Sequence, residues 1–231
     1  MRYNEYNQII GDAVENYQEG EWPSITYLEG KTVKIEKLDM KHIPDLYELY
    51  GPKAIPQSFT YVPLEPFDNY DDYEVFIKGL INTKDSYFFA IVDKATNKAV
   101  GNFALMNIDT KNRRIEVGYV IYSEALKKTR QATEAQFLLM QYVFEDLKYR
   151  RYEWKCDHFN KPSFNAALRL GFTFEGTFRN AVVYKNRSRD SDYLSIIDSE
   201  WENNKKRIQL WLSDDNFDEK GQQKRHLSQL K

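Results

Sequence analysis

The chain has 231 residues, a length that favours one domain with extensions over two full domains. Lysine and arginine total 33 against 35 acidic residues, and the formal net charge of -2 provides no global field that would attract nucleic acid. One cysteine and three scattered histidines exclude a disulfide framework and Cys-rich zinc sites, and they count against any metal centre. Ten glycines are few for this length, which counts against glycine-rich phosphate loops.

Targeting signals are equally sparse. The N-terminal stretch has no apolar core like that of a signal peptide, and no window approaches the ~18 uninterrupted apolar residues of a membrane helix. A lone cysteine without an export signal is typical of a reducing intracellular compartment. We therefore predict a cytoplasmic protein that does not associate with membranes, and a nuclear location is left open.

Hydrophobic periodicity predicts the elements that follow a polar and aromatic arm at 1–30. In the first half these are a strand at 31–38, a helix at 41–50, a loop with four prolines at 51–67, a helix at 69–83, and strands at 87–93, 99–108 and 113–122. In the second half they are the most periodic helix at 132–147, a strand at 149–156, a short helix at 162–171, closing strands at 172–176, 181–185 and 193–198, and a terminal helix at 201–212.

This order, with one β-α-β passage at 113–156, predicts an α+β fold. The expected architecture is a mixed, mostly antiparallel central sheet of about six to seven strands, flanked by helices on both faces. We expect the domain proper to span 31–200 and the C-terminal helix and tail to span 201–231. The tail from residue 213 onward is polar and is expected to be loose.

The loop at 126–131 precedes the long helix and contains three cations, Lys127, Lys128 and Arg130. The free N–H groups and the positive dipole end of a helix N-terminus already favour an anion. Three cations beside the positive end of a helix repel one another and the helix dipole when no anion is present. A bound polyanion such as a pyrophosphate would make the arrangement favourable. The alternative is a solvated basic loop.

The stretch 116–135 resembles the acyl-CoA loop of the GNAT superfamily of N-acetyltransferases, whose motif is [Q/R]-x-x-G-x-[G/A]. Lys127 takes the first position, Arg130 the central glycine and Ala132 the last position. Lys127 and Arg130 both depart from the motif. An arginine in place of the glycine must either bind phosphate with its side chain or point away.

A second block, 156–180, resembles the RimJ/RimL-type pattern N-x-x-S, then seven intervening residues, then G-F-x-x-E-G. The matching positions are Asn160, Ser163, Gly171, Phe172, Glu175 and Gly176. The strand residues I-E-V-G-Y at 115–119 resemble the family's E-[IL]-G-Y. The two blocks occur in the family's order, so the chain is identified as a member of this superfamily.

The resemblance implies the GNAT fold and an N-acetyltransferase that uses acetyl-CoA as the acyl donor. The acceptor is implied to be a primary amine, in a small molecule or at a protein N-terminus, that attacks the thioester directly in a ternary complex. No nucleic-acid partner is expected, and the oligomeric state is open between monomer and homodimer. A catalytically inactive CoA-binding or sensing module is the alternative, because Arg130 replaces the glycine and the flanking arms are long.

The resemblance also implies the site residues. Those implied to bind the cofactor are Val120, Ile121, Lys127, Lys128, Thr129, Arg130, Gln131, Ala132, Thr133, Asn160 and Ser163. Ser163 is implied to lie near the sulfur, as a general acid in some members, and Asn160 to bond pantetheine or nearby backbone. The alternatives are that Ser163 caps the 162–171 helix and that Asn160 is a turn residue.

Glu116 is the predicted general base. Strand alternation places Ile115, Val117, Tyr119 and Ile121 on one face of the 113–122 strand, and Glu116, Gly118 and Val120 on the other. A carboxylate beside a glycine and a valine is poorly solvated, which favours a basic role. The alternative is a structural ion pair with Arg113, Arg114 or Arg151.

Cys156 and His158 share a strand face and suggest a Cys/His nucleophile. We reject that interpretation because the sequence fixes no flanking acid and the family uses no cysteine nucleophile. A buried apolar role for Cys156 is favoured.

Overall fold

The computed structural model describes residues 1–230 and contains ten strands and five α-helices in that range. The strands are β1 (Arg2–Tyr3), β2 (Ile9–Ile10), β3 (Tyr27–Glu29), β4 (Val33–Lys37), β5 (Tyr87–Asp93), β6 (Lys98–Asp109), β7 (Arg114–Tyr122), β8 (Arg151–Asp157), β9 (Thr173–Tyr184) and β10 (Arg187–Ile197). The helices are α1 (Ile43–Tyr50), α2 (Tyr70–Asn82), α3 (Arg130–Gln141), α4 (Lys161–Leu170) and α5 (Asp198–Leu212).

Eight strands form one mixed sheet in the order β3-β4-β5-β6-β7-β8-β10-β9. Its only parallel pair among the described residues is β7 with β8. The α+β class and the mostly antiparallel sheet are therefore confirmed, with eight strands where six to seven were expected. The unexpected strand is β3, which lies inside the predicted arm at 1–30 and pairs with β4.

The last two strands differ from the prediction in their connectivity. The segments predicted at 172–176 and 181–185 are parts of one strand, β9. Its register against β10 moves from Val182–Arg189 to Phe178–Ser191, so β9 carries two extra residues, and Asn180 takes a left-handed φ of 50°. A bulge of this kind interrupts the alternation, which is why the sequence indicates two short strands.

Helices cover both faces of the sheet, as expected. One buried cluster joins the sheet to α3, α4 and α5, and we call this side the α3–α5 face. A second cluster joins the sheet to α1 and α2 on the α1–α2 face. In β5, Phe89 and Ile91 pack in the first cluster while Phe88 and Ala90 pack in the second, as strand alternation requires.

The tail is ordered, contrary to the expectation that it would be loose. Residues 213–230 form two single-turn helices, Asp214–Asn216 and Leu227–Gln229, and Leu227 and Leu230 are buried. The Asn216 amide donates to the carbonyl oxygens of Trp211 at 3.0 Å and Arg225 at 3.2 Å. Isolated apolar residues in a polar segment carry no periodic signal, so only tertiary packing shows this order. Residue 231, also in the predicted tail, lies outside the described residues.

Within residues 1–230, no helix has both the length and the apolar composition that crossing a membrane requires.

Candidate active site

The central sheet opens between its two parallel strands. β7 and β8 pair only over Arg114–Val117 and Arg151–Trp154. β7 continues to Tyr122 and β8 to Asp157, so beyond Val117 and Trp154 neither strand pairs with the other. Ligands of α/β sheets bind at the carboxyl ends of parallel strands, where such a gap forms.

A bulge in β7 lies beside this opening. The register against β6 moves from Ile121–Asn102 to Gly118–Ala104, so Tyr119 and Val120 both lie opposite Phe103. Tyr119 takes a left-handed φ of 50°, which is uncommon for an aromatic residue. Its carbonyl oxygen accepts a hydrogen bond from the buried Asn102 amide at 3.0 Å, which fixes the bulge.

The bulge overturns the predicted strand faces. Val117 and Val120 pack on the α3–α5 face, whereas Tyr119 and Ile121 pack on the α1–α2 face. The prediction that Tyr119 and Ile121 share a face with Val117 is wrong, because the extra residue reverses the alternation after Gly118. Val120 therefore lies on the opposite face of the sheet from Glu116.

Two capped helices begin at the opening. α3 follows β7 after a short loop, and the Thr129 side chain accepts a hydrogen bond from the backbone N–H of Ala132 at 3.1 Å. α4 follows β8, and the Asn160 side chain accepts from the backbone N–H of Ser163 at 3.2 Å. Both N-termini border the same end of the parallel pair, so two positive helix ends face the gap.

Ser163 makes a contact that the sequence did not predict. Its Oγ accepts a hydrogen bond from Nε1 of Trp154 at 3.0 Å, and Asn160 rather than Ser163 caps α4. Ser163 therefore lies over β8 at the start of the unpaired strand ends.

Side chains in and next to the basic loop at 126–131 form hydrogen bonds and ion pairs with other residues. The Lys127 ammonium lies 2.5 Å from Glu124 Oε1 and donates to Ser58 Oγ at 2.8 Å, which joins it to the predicted proline-rich loop. Lys128 is exposed and has a left-handed φ of 61°. The Gln131 amide donates to Asp93 at 2.9 Å, and the buried Thr133 hydroxyl accepts from Arg169 at 3.1 Å.

Arg130 points away from the opening. Its guanidinium donates to the Leu212 carbonyl and, at 2.8 Å, to Asp214 Oδ1, and its Cζ lies 4.4 Å from the centre of the Phe217 ring. All three partners belong to α5 or the ordered tail. The side chain that replaces the family's central glycine therefore anchors the C-terminal segment in this structure.

Glu116 lies at the apex of the opening, one residue before the last paired residue of β7. It is 5% exposed, and its Oε2 accepts hydrogen bonds from the Asn107 amide and the Lys155 ammonium, each at 2.7 Å. Oε1 accepts no hydrogen bond from residues 1–230 and lies on the Gly118 side, 3.9 Å from where a Cβ on that residue would stand. The partners that the sequence suggested, Arg113, Arg114 and Arg151, form no ion pair with Glu116.

Lys155 links two buried carboxylates and was not predicted from the sequence. Its ammonium lies 2.7 Å from Glu116 and 3.1 Å from Glu153. Burial by itself would lower the pKa of Lys155, but the two carboxylates outweigh it and raise the pKa. The strand alternation of β8 could have placed Lys155 on the face opposite Trp154, although not its partner.

An acid that the sequence could not place lies beside His158. His158 Nδ1 lies 2.9 Å from Oδ1 of the buried Asp192 on β10, 34 residues further along the chain. The neighbouring Cys156 is buried, and that burial, with the Asp192 charge, raises the pKa of the thiol to about 11. A thiol with so high a pKa is a poor nucleophile, which agrees with an apolar role.

The end of the β9–β10 hairpin contacts the proline-rich loop. Lys185 donates to the Phe59 carbonyl at 2.8 Å, and Arg187 donates to the Thr60 carbonyl. These contacts lie on the α1–α2 face of the sheet. Tyr184 of the same hairpin donates a hydrogen bond to Asp157 at 2.7 Å. Asp157 lies on the α1–α2 face, because the β8 residues with which it alternates pack on the α3–α5 face. The predicted loop at 51–67 thus forms a rim of the site together with the hairpin and Lys127.

A sheet that opens between two parallel strands, a bulged strand at the opening and two helix N-termini facing it define an acetyltransferase of the GNAT type. Residues 33–173 match the family model described as an acetyltransferase (GNAT) domain, so the chain belongs to this family. GNAT enzymes take the acetyl group from acetyl-CoA and transfer it to amines.

Similar proteins support this assignment. A crystal structure of a GCN5-related N-acetyltransferase from Brucella melitensis has a TM-score of 0.91 and 40% identity, covering 94% of this chain and 98% of that one. The uncharacterized N-acetyltransferase p20 of Bacillus licheniformis is 26% identical over 175 residues, which are 76% of this chain and 97% of p20. YdaF of Bacillus subtilis (strain 168), provisionally named a ribosomal N-acetyltransferase, is 33% identical over 105 residues, 46% of this chain and 57% of YdaF. The match to YdaF agrees with the RimJ/RimL-type resemblance.

Proposed function

We propose that this chain transfers an acetyl group from acetyl-CoA to a primary amine of a small molecule or a protein N-terminus, by direct attack in a ternary complex. The observation that carries this proposal is the position of Glu116. Its carboxylate lies at the apex of the β7–β8 opening, with one oxygen held by two donors and the other without a partner among residues 1–230.

The residues around the opening suit an extended donor that ends in phosphates. In the part of the chain that the structure describes, the β8 side of residues 118–122 has no strand partner, so backbone groups of Val120 and Ile121 can pair with the amides of a pantetheine arm. Lys127, Lys128 and the capped N-terminus beginning at Thr129 offer positive charge to a pyrophosphate. Acetyl-CoA, when bound, supplies the activated thioester.

Removal of a proton from the acceptor falls to Glu116 in this proposal. A primary amine with a pKa of about 10 is protonated at neutral pH and must lose that proton before it can attack. Lys155 and Asn107 hold Oε2, which orients the carboxylate and leaves Oε1 to accept the proton. Because the neighbouring carboxylates raise the pKa of Lys155, its ammonium stays charged and continues to donate its hydrogen bond to Oε2.

Ser163 suits the protonation of the leaving thiolate. Its Oγ accepts from Trp154, which orients the hydroxyl and leaves its hydrogen to be donated. Asn160 contributes through the α4 N-terminus that it caps, since its side-chain oxygen is used for the Ser163 N–H. Both residues then act on the donor rather than on the acceptor.

The proposal is tested by calorimetric titration with acetyl-CoA and by thiol release with a panel of amines, polyamines, amino acids and N-terminal peptides. We expect binding in the micromolar range and thiol release with at least one amine. Glu116→Gln should lower kcat about 100-fold with little change in acetyl-CoA affinity, the size typical of a lost general base.

Glu153→Gln is the matched control, because Glu153 belongs to the same ion cluster but has both oxygens engaged, by Arg151 and Lys155. Equal losses in the two variants would mean that Glu116 acts only through the cluster. A protein that binds CoA but releases no thiol with any acceptor would overturn the enzymatic proposal and favour the inactive alternative.

A further inference from the structure

The first nineteen residues, which we call the free arm, expose an unusual number of apolar side chains. Met1 is 97% exposed, Tyr6 74% and Ile9 66%, and Tyr3, Ile10 and Val14 are also exposed. Strands β1 and β2 pair with each other within the arm, and every side-chain hydrogen bond of residues 1–16 stays inside it. Side-chain hydrogen bonding to the body begins at Tyr17, whose hydroxyl donates to the Lys111 carbonyl.

A second apolar surface lies at the far edge of the sheet. β9 is the last strand of the described sheet, so one side of its backbone has no strand partner within residues 1–230. Around its end, residues 178–189 form what we call the hairpin tip, where Phe178 is 57% exposed and Val183 is 80% exposed. A long edge strand with exposed apolar side chains is a surface that proteins normally cover.

The two surfaces have opposite charge. The free arm contains Glu5, Asp12, Glu15 and Glu19 against the single Arg2, and none of these acids forms an ion pair within residues 1–230. The hairpin tip contains four basic residues, Arg179, Lys185, Arg187 and Arg189, and no acid. Among residues 1–230, Lys185 alone of these four forms an ion pair, with Glu65 at 2.7 Å.

We propose that the free arm docks on the hairpin tip of a second copy of this chain, reciprocally, in a symmetric dimer. One chain leaves both surfaces uncovered, whereas a two-fold pair covers both arms and both tips at once. Each copy contributes the 19 residues of the arm and the 12 of the tip, which is close to the roughly 20–30 residues a side of a stable interface. The arm can add its hairpin to the free edge of β9.

A short linker joins the arm hairpin to the body and sets how far the arm reaches from it. Residues 11–16 separate β2 from the contact of Tyr17 with Lys111, and six extended residues span about 20 Å. Neither surface includes Glu116 or the loop at 126–131, but the hairpin tip borders the rim of the site through Lys185 and Arg187, so the test measures the oligomeric state and not acetyl transfer.

Sedimentation velocity on the intact chain at tens of micromolar tests the proposal. We expect a dimer for the intact chain and a monomer for a variant lacking residues 1–16, with unchanged thermal unfolding of the monomeric body. A monomeric intact chain overturns the proposal, and this result is also the one expected if the arm folds onto β9 of its own chain. A truncated variant that still dimerises overturns the proposal as well.

Charge exchange provides a test that keeps the arm. Glu5→Lys with Glu15→Lys, and separately Arg179→Glu with Arg187→Glu, should each weaken the dimer about tenfold or more. In a mixture of the two variants, one arm–tip contact is native and the other has both charges reversed. We expect this heterodimer to form within about threefold of the native affinity. No recovery in the mixture would contradict the arm–tip contact.

Discussion

Lys155 directs its ammonium at Oε2 of Glu116, 2.7 Å away, and Oε1 of the same carboxylate is left without a hydrogen-bond partner among residues 1–230. The pair joins the two parallel strands at the last point where they are bonded to each other. The ion pair thus holds the apex of the opening and fixes the orientation of the proposed base.

Lys155→Met should lower both the rate and the stability. Without the ammonium, Oε2 of Glu116 loses one of its two donors and the carboxylate is no longer held in one orientation, so we expect kcat to fall about 10-fold. We also expect the free energy of unfolding to fall by about 3 kcal/mol, because the variant leaves buried carboxylates without their cation. The measurements are steady-state kinetics and urea unfolding. Lys155→Arg keeps the charge and should stay near the native kcat; an unchanged kcat in folded Lys155→Met would contradict the role of Lys155 in orienting the proposed base.

Arg130→Ala should affect stability more than cofactor binding. The side chain bonds the Leu212 carbonyl and packs over Phe217, so its loss should lower the free energy of unfolding by about 1 kcal/mol. Acetyl-CoA affinity should change less than about threefold, since the guanidinium faces the C-terminal segment. Lys128→Ala, on the exposed part of the loop at 126–131, should instead weaken acetyl-CoA binding and leave the free energy of unfolding nearly unchanged. An Arg130→Ala variant that binds acetyl-CoA more weakly than Lys128→Ala would mean that Arg130 reaches the phosphates.

The Cys156 thiol should be inert in the folded protein. Burial and the Asp192 charge raise its pKa to about 11, so about 0.1% is thiolate at pH 8. We expect iodoacetamide to label the native protein at least about 100-fold more slowly than the urea-unfolded chain, as followed by mass spectrometry. Labelling of the native protein at the unfolded rate would show that the thiol is accessible and activated.

His42 should make the protein less stable in mild acid. It is buried beneath the start of α1; its Nδ1 accepts from the Asp39 N–H at 3.1 Å, and its Nε2 lies 3.1 Å from Glu36. Burial lowers the pKa of His42, although Glu36 opposes the shift. The unfolded chain therefore binds the proton more readily, so stability is complete above the unfolded pKa of about 6.5 and falls as the pH drops through it.

Urea unfolding at pH 7.5 and 5.5 measures this effect. His42→Gln should lose part of the native protein's pH dependence, because glutamine can keep a neutral hydrogen bond but cannot take up a proton. Equal pH dependence in the two proteins would exclude His42 as a source of the acid sensitivity.

The residues of the family motifs show which features can be predicted from local sequence. The helix starts at Thr129 and Asn160 are predictable because a cap depends on residues three positions apart. Glu116 is predictable as a buried carboxylate on a strand, and residues 33–173 are recognisable as a GNAT domain. The count of strands was harder, because β3 has only three residues and the bulged β9 looks like two strands.

Other properties depend on contacts between segments that are distant in the chain. Lys155 is 39 residues from Glu116, and Asp214 is 84 residues from Arg130, so neither pairing leaves a local pattern. The bulge at Tyr119 depends on its register with β6, and it reverses the strand faces that alternation predicts. The sequence by itself determined the family and the polar residues at the opening, since these follow from motifs and local caps. Only the tertiary structure decided that Arg130 faces the C-terminal segment and that Lys155 holds Glu116, because sheet order and register select these partners.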